Sequence, residues 1–384
     1  MRILIAPAAY KGTLSPLQAC AAIAEGVRRR LPHAEIDLCP ISDGGTGWLE
    51  VWKFHLGSAP TPLATLPKSV AARWMPQRLA LMQTTVPDPL GRPISAEYLL
   101  ADSVAILESA LACGIHLLQS EALRPLEAST EGVGELLRAV DRPDVEAIWL
   151  GLGGTATTDG GTGALRALGF QFLAADGSLI PRGGGGLLTL ARIEPPAQMP
   201  LQGKRLVLCA DVRNPLCGEQ GAARVFAPQK GANPQQVALL EAGLERLASV
   251  IRQQTGLDVA ELPGAGAAGG LPVGFVAFMN ATLVSGIEWL LQHVGWHERL
   301  RQADLLLTGE GQVDAQTLMG KGVGELVKHA VASGKPVRLV AGRLGAGAEA
   351  LLELPGVQVV AAQQVAPDQP PSVAVATATA AILF

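Results

Sequence analysis

One pattern recurs along the chain and restricts its fold: a short apolar run, then a glycine-rich polar loop, then a helical pattern with apolar residues on one face. That order is the signature of βα units around a parallel sheet. The first copy has Ile3-Leu4-Ile5-Ala6 as its strand and residues 8–14 as its loop. Ser15 then caps a helix, with Pro16 at the first helical position and Gln18 completing a capping box. Leu17, Cys20, Ala21, Ala24, Val27 and Leu31 fall on one face of that helix. A second copy joins a strand at residues 35–39 to a loop at 42–47 and a helix from Trp48. Later strands at 147–152, 205–210 and 304–308 run into polar loops at 153–163, 211–218 and 309–314, and two more strands are expected at 336–341 and 357–361.

Between residues 60 and 100 the texture changes. Prolines accumulate, and an alternating stretch at 78–86 is broken by Asp88-Pro-Leu-Gly91, which predicts a β-hairpin and the entry to a different domain. A chain of 384 residues is too long for one ordinary core. The expected organisation is α/β with two α/β domains. Residues 1–70 and 285–384 form a discontinuous Rossmann/flavodoxin-like parallel-sheet domain from both termini, and residues 71–284 form the inserted α/β domain. The run Gly183-Gly-Gly-Gly186 reads as a flexible surface loop, because no capped helix follows it.

Charge and hydropathy exclude several classes of function. With 30 basic and 34 acidic residues the net charge is −4, and the longest basic run, Arg28-Arg29-Arg30, closes a helix where it complements the helix dipole. This disfavours nucleic acid or a membrane surface as partner. Mean hydropathy is +0.29, yet no apolar run approaches the ~20 residues that span a bilayer. The N-terminus lacks a secretory signal, so the cytoplasm is the expected location. The five cysteines form no C-x-x-C pair and suit a reducing compartment. His293 and His297 have a metal-like spacing, but Gly295 lies between them and no third ligand is near in sequence, so they read as structural.

In open α/β sheets ligands bind outside the carboxyl ends of the strands, where these polar loops must lie. Glycines there let backbone approach a phosphate, and hydroxyls can donate to its oxygens. The richest loop is Gly153-Gly154-Thr155-Ala-Thr157-Thr158-Asp159-Gly160-Gly161; loops at 226–231 and 262–270 are of the same kind. Phosphoryl transfer needs dispersed negative charge to be neutralised and a group to orient or deprotonate the attacking hydroxyl. Lys11, Lys230 and Lys321 stand in glycine-bearing loops, and Asp43, Asp159, Asp211, Glu310 and Asp314 are acids expected at strand ends. A Walker A loop is absent, since Lys321 is followed by Gly322 and residue 315 is alanine. No good dinucleotide fingerprint or G-x-S-x-G elbow occurs either, which disfavours a dehydrogenase and a hydrolase.

Taken in order, Lys11-Gly-Thr-Leu-Ser15, Asp43-Gly44-Gly45, the loop at 152–161, Asp211-Val-Arg-Asn-Pro-Leu216, Pro228-Gln-Lys230-Gly-Ala232, Pro263-Gly264-Ala-Gly266-Ala-Ala-Gly269-Gly270 and the segment at 308–317 resemble the bacterial glycerate kinase family over nearly the whole chain. The resemblance implies an ATP- and Mg²⁺-dependent, two-domain enzyme that phosphorylates D-glycerate to 2- or 3-phosphoglycerate in a cleft between domains, with the 2-position favoured. Two positions depart from the family's first loop, where Ala8 and Ala9 replace Asp and Ser. Thr46, Thr155 and Thr158 stand where the family commonly has an acid, Ser and Asn.

On this reading either Asp43 or Asp159 orients or deprotonates the glycerate hydroxyl, while Lys11 and Lys230 neutralise phosphate oxygens. Asp211 and Asp314 hold Mg²⁺, a hard cation that prefers carboxylate oxygens. Gly44, Gly45, Gly153, Gly154, Thr155, Thr157, Gly160, Gly161, Gly264, Gly266, Gly269, Gly270, Glu310 and Lys321 are assigned to ATP. A helix N-terminus, Arg213 or Arg343 receives the substrate carboxylate. A kinase for another small hydroxy acid and a non-catalytic binder are the alternatives, and a homodimer is compatible with the sequence.

Overall fold

A computed structural model describes residues 1–57, 76–118, 123–210, 212–318 and 322–383. The chain divides into two compact units. One comprises Met1–Asp43, Gly47–Pro76 and Gly286–Phe384; the other comprises Gly44–Thr46 and Gln77–Ser285. The first unit begins with β1 (Arg2–Ile5) and β2 (Glu35–Leu38), separated by a helix at Pro16–Arg30. The capping box at Ser15 and Gln18 is formed there in both directions.

The second unit is built on β3 (Leu79–Pro87), β4 (Pro93–Ala101), β5 (Val104–Glu108), β6 (Ala147–Leu152), β7 (Gln171–Leu173), β8 (Arg192–Glu194), β9 (Arg205–Ala210) and β10 (Thr282–Ser285). Its main sheet has the order β10-β9-β6-β5-β4-β3, and β7 pairs with β8 apart from it. β5, β6, β9 and β10 run parallel, whereas β3, β4 and β5 are antiparallel neighbours. The hairpin turn is organised by Asp88, whose Oδ1 accepts from the backbone N–H groups of Leu90 and Arg92, each at 2.9 Å. All six residues of β6 are buried, as expected of a parallel strand covered on both faces.

The four glycines at 183–186 depart from the flexible loop expected of them. A 3₁₀ helix spans Gly184–Thr189, and Gly184 and Gly186 are buried. A Cβ on Gly184 would lie 2.3 Å from the Thr158 carbonyl oxygen. These residues serve close backbone packing.

The first unit is completed by β11 (Leu305–Val313), β12 (Val337–Leu344) and β13 (Val357–Ala361). Its five strands are all parallel, in the order β13-β12-β11-β1-β2. Read from the β2 edge this is the 2-1-3-4-5 order of flavodoxin-like sheets, whose topological switch point lies between β1 and β11. β1 ends at Ile5, opposite Leu307, while β11 continues beside β12 as far as the Val313–Leu344 pair. The paired ends of β11 and β12 therefore extend past β1. The helix at Pro16–Arg30 is buried more widely than one face predicts: Ala22, Ile23 and Gly26 are covered and Ala21 is exposed. A Cβ on Gly26 would lie 2.4 Å from the Ala376 carbonyl oxygen, so the helix at Pro371–Ile382 crosses it closely. No helix among the described residues is long and apolar enough to cross a membrane.

Candidate functional site

In the first unit the switch point is laced by short bonds. The Thr308 hydroxyl donates to the Ala6 carbonyl at 2.7 Å, and the Ala8 N–H donates to the Gly309 carbonyl at 2.9 Å. Tyr10 is buried and its hydroxyl donates to the Val340 carbonyl. Burial, and then the charge of Glu310, hold its phenol well above the usual range, so it stays neutral. The chain turns back at once, with the N–H of Thr13 donating to the Tyr10 carbonyl at 2.8 Å, and leaves Lys11 exposed.

Two glycines make room for that turn. A Cβ on Gly309 would lie 2.3 Å from the Tyr10 hydroxyl oxygen, and one on Gly311 would lie 3.0 Å from the Lys11 nitrogen. Because side chains alternate along a strand, Glu310 and Gln312 occupy the opposite face of β11. There the Thr317 hydroxyl donates to Glu310 Oε1 and Gln312 Nε2 donates to Asp314 Oδ2, both at 2.8 Å. Asp43, half-buried beyond the end of β2, has its Cβ 3.8 Å from where a Cβ on Gly322 would stand. Arg343, at the end of β12, is exposed and paired in register with Gln312.

In the second unit the loop after β6 is the counterpart. Its tip, Gly153 and Gly154, is open to solvent, and everything from Thr155 to Gly161 is buried. The Gly153 N–H donates to Ser109 Oγ at 3.3 Å, and the Ile115 N–H donates to the Gly154 carbonyl at 2.9 Å. Gly44 and Gly45 pack beside this tip: a Cβ on Gly44 would lie 2.3 Å from the Cys209 carbonyl oxygen, and one on Gly153 would lie 2.6 Å from the Gly45 Cα.

Asp159 is fully buried, and each of its oxygens is occupied. Oδ2 accepts from the Thr130 N–H and hydroxyl, each at 2.9 Å, and from the Gly163 N–H at 3.1 Å; Oδ1 accepts from the Gly161 N–H at 3.2 Å. Burial pushes its carboxyl pKa up, against the pull of these donors. Asp159 thus presents no oxygen to solvent. Lys230 is enclosed as well. Its ammonium is buried and donates to the Thr157 carbonyl at 2.5 Å and to Thr155 Oγ1 at 3.4 Å, so it grips the loop. Burial lowers its pKa to about 8, and the buried thiol of Cys113 beside it is pushed up to about 12.

Six glycines expected to cradle phosphate are also enclosed. Gly160, Gly161, Gly264, Gly266, Gly269 and Gly270 are buried. A Cβ on Gly269 would lie 2.1 Å from the Thr157 carbonyl oxygen, and one on Gly161 would lie 2.4 Å from that of Leu271. The Gly160 N–H donates to the Gly269 carbonyl at 3.0 Å and the Gly266 N–H to the Asn214 carbonyl at 3.0 Å. Their missing side chains let two loops close on each other. Thr155 and Thr157 are likewise enclosed. Asp211 and Lys321 lie outside the described residues, and Arg213 is exposed.

Sequence reasoning missed Thr130, which stands 29 residues from the carboxylate it binds, and Ser109 and Thr317; isolated hydroxyls in chain positions of no obvious pattern carry no signal. Glu288, Glu325 and His329 bring potential ligand atoms within 4.8 Å of one another in the first unit. Trp296 Nε1 donates to His329 Nδ1 at 3.1 Å, which occupies the one lone pair of the neutral ring and leaves none for a cation.

Known proteins resemble the chain over nearly its whole length. The family model described as the glycerate kinase family matches residues 3–382. A glycerate kinase of Halalkalibacterium halodurans is 40% identical over 354 residues, 91% of this chain and 88% of the relative. A glycerate 2-kinase of Escherichia coli K12 is 36% identical over 350 residues, 90% and 86% of the two chains. A crystal structure of a protein assigned as glycerate kinase 2 from Salmonella typhimurium LT2 superposes with a TM-score of 0.76 at 34% identity, covering 100% of this chain and 96% of the other.

Proposed function

Because the chain belongs to the glycerate kinase family, we propose that it transfers the γ-phosphoryl of ATP to the 2-hydroxyl of D-glycerate, giving 2-phosphoglycerate and ADP. The observation that carries this reading is the placement of Lys11 and Asp43 on loops that follow adjacent parallel strands, one of them at the switch point of the sheet. The choice of the 2-hydroxyl rests on the name of the Escherichia coli relative.

The roles follow from exposure and chemistry. Asp43 is the accessible carboxylate of the two candidate bases and takes the hydroxyl proton as that oxygen attacks the γ-phosphorus. The bond to the bridging oxygen breaks, and its electron pair leaves with ADP. Exposed Lys11 neutralises phosphate oxygens, and in the second unit the amide of Gly154 is offered to the nucleotide. Arg343 receives the glycerate carboxylate as a bidentate partner.

Glu310 and Asp314 are both bonded to Thr317, through its hydroxyl and through the Asp314 N–H, and carboxylate oxygens suit the hard cation Mg²⁺. Glu310 and Asp314 would hold it. When bound, Mg²⁺ neutralises charge on the phosphate oxygens. Free, buried cysteines fit the cytoplasm, where ATP is available.

A second reading, a kinase for a related hydroxy acid, is favoured by Ala8 and Ala9, which stand half-buried after β1 and offer no polar side chain. An assay of ADP release with D-glycerate, tartronate and related acids, with and without Mg²⁺, tests both readings. Turnover with D-glycerate and a phosphorus NMR signal of 2-phosphoglycerate are expected. Preference for another acid sustains the second reading, and no acid-dependent release of ADP defeats both.

A further inference from the structure

The loop between β6 and the helix at Thr162–Ala167 is held at two places by side chains that reach no surface. At one end Lys230 donates to Thr157 and Thr155. At the other, Asp159 gathers the N–H groups of Gly161 and Gly163 and is itself bound twice by Thr130. Thr130 reaches further along the same element, because its Oγ1 accepts from the Ala164 N–H at 3.0 Å. A buried ammonium and a buried carboxylate are costly to enclose. A chain that needed only a turn here could form one from glycine and backbone alone.

We propose that Thr130 and Lys230 are positioning residues that clamp the loop at 153–163 from its two ends, so that the Gly153–Gly154 tip meets the nucleotide already in its bound shape. A loop ordered before the ligand arrives spares binding the entropy of ordering it. The clamp acts through Thr157 and Asp159, and neither Thr130 nor Lys230 touches the substrate. The nucleotide part of the inference rests on the function proposed above; the clamp itself does not.

The test is amide hydrogen exchange across residues 153–163 in the whole chain without substrates, followed by steady-state kinetics. Lys230→Met and Thr130→Val should speed exchange in this loop by about tenfold or more, as expected for loss of a hydrogen bond that involves a charged group. Thr130→Ser keeps the hydroxyl and should restore the slow exchange. In the assay, Lys230→Met should raise the KM for ATP by about tenfold with kcat nearly unchanged, the mark of lost ground-state ordering. Unchanged loop exchange in both variants overturns the proposal. So does a loss of kcat of about a hundredfold at constant KM in Lys230→Met, since that marks contact with the transferring phosphoryl. If Lys230→Met does not fold, the Thr130→Val and Thr130→Ser pair decides by itself. Failure of the wild-type chain to phosphorylate glycerate would sink the functional reading while the exchange result still decides the clamp.

Discussion

Asp159 and Thr130 are joined twice: the backbone N–H and the hydroxyl of Thr130 both donate to Oδ2 of Asp159, each at 2.9 Å. With Gly161 on Oδ1 and Gly163 also on Oδ2, every neighbour of this carboxylate is a donor. Asparagine in its place must present an NH₂ to at least one N–H, whichever way the amide is turned. Asp159→Asn should therefore lower unfolding free energy by about 2–4 kcal/mol, as read from urea denaturation.

Lys230 links stability to pH. Its folded pKa is lowered, mainly by burial, from 10.5 to about 8. The unfolded chain then binds more protons than the native one between those values, so stability rises with pH across that window. The cost of enclosing the charge, about 3 kcal/mol at most, is present below pH 8 and relieved by pH 10.5. Urea titrations at pH 7.5 and pH 10 should show this rise in wild type and lose it in Lys230→Met; parallel curves for the two proteins would refute the assignment.

Asp43→Asn isolates the chemistry. Loss of a general base should reduce kcat by about 10²–10⁴-fold, with melting temperature close to wild type because Asp43 is half-buried at a loop. Near-native turnover would remove Asp43 from the mechanism.

Arg343→Met is expected to raise the KM for glycerate by about tenfold or more through loss of a charge-assisted bond. The KM for ATP should hold constant, and a change confined to ATP would reassign the arginine to phosphate.

Gly269→Ala is predicted to destabilise the second unit by about 2–4 kcal/mol, from overpacking plus a left-handed backbone. Its φ is +72° and the added Cβ would lie 2.1 Å from the Thr157 carbonyl oxygen. Gly203→Ala makes the control, with φ +77° and nothing within 4 Å of the new Cβ; it should cost only about 1–2 kcal/mol. Thermal denaturation of the pair separates contact from backbone strain.

Signals confined to neighbouring residues were readable before any coordinates. Ser15, Pro16 and Gln18 announce a helix start because a capping box is contained in four consecutive residues, and Asp88-Pro-Leu-Gly91 announces its hairpin because the turn is made locally. The α/β class follows from repetition of such units. What a glycine is for could not be read in this way. Gly153 against Gly45 and Gly269 against Thr157 look alike in sequence to a phosphate cradle, and only the neighbour across the gap shows that each lets one loop approach another. The same limit hid Thr130 and the loop contacts of Lys230, whose partners lie 73 and 75 residues away. Asp159 preceding two glycines suggested reach toward substrate, yet those glycines bring backbone donors onto the carboxylate itself.

The pairing of Ile3 with Leu305 has a consequence for biosynthesis. On the ribosome β1 can meet β2 early, through the Ile3–Ile36 pair, but its other edge must wait for β11 about 300 residues downstream, while the residues that complete the second unit are already present. Strand β1 is buried in the finished sheet on both sides and apolar throughout its last three positions. For most of translation its β11-facing edge stays unpaired, so chaperone dependence during synthesis should concentrate there.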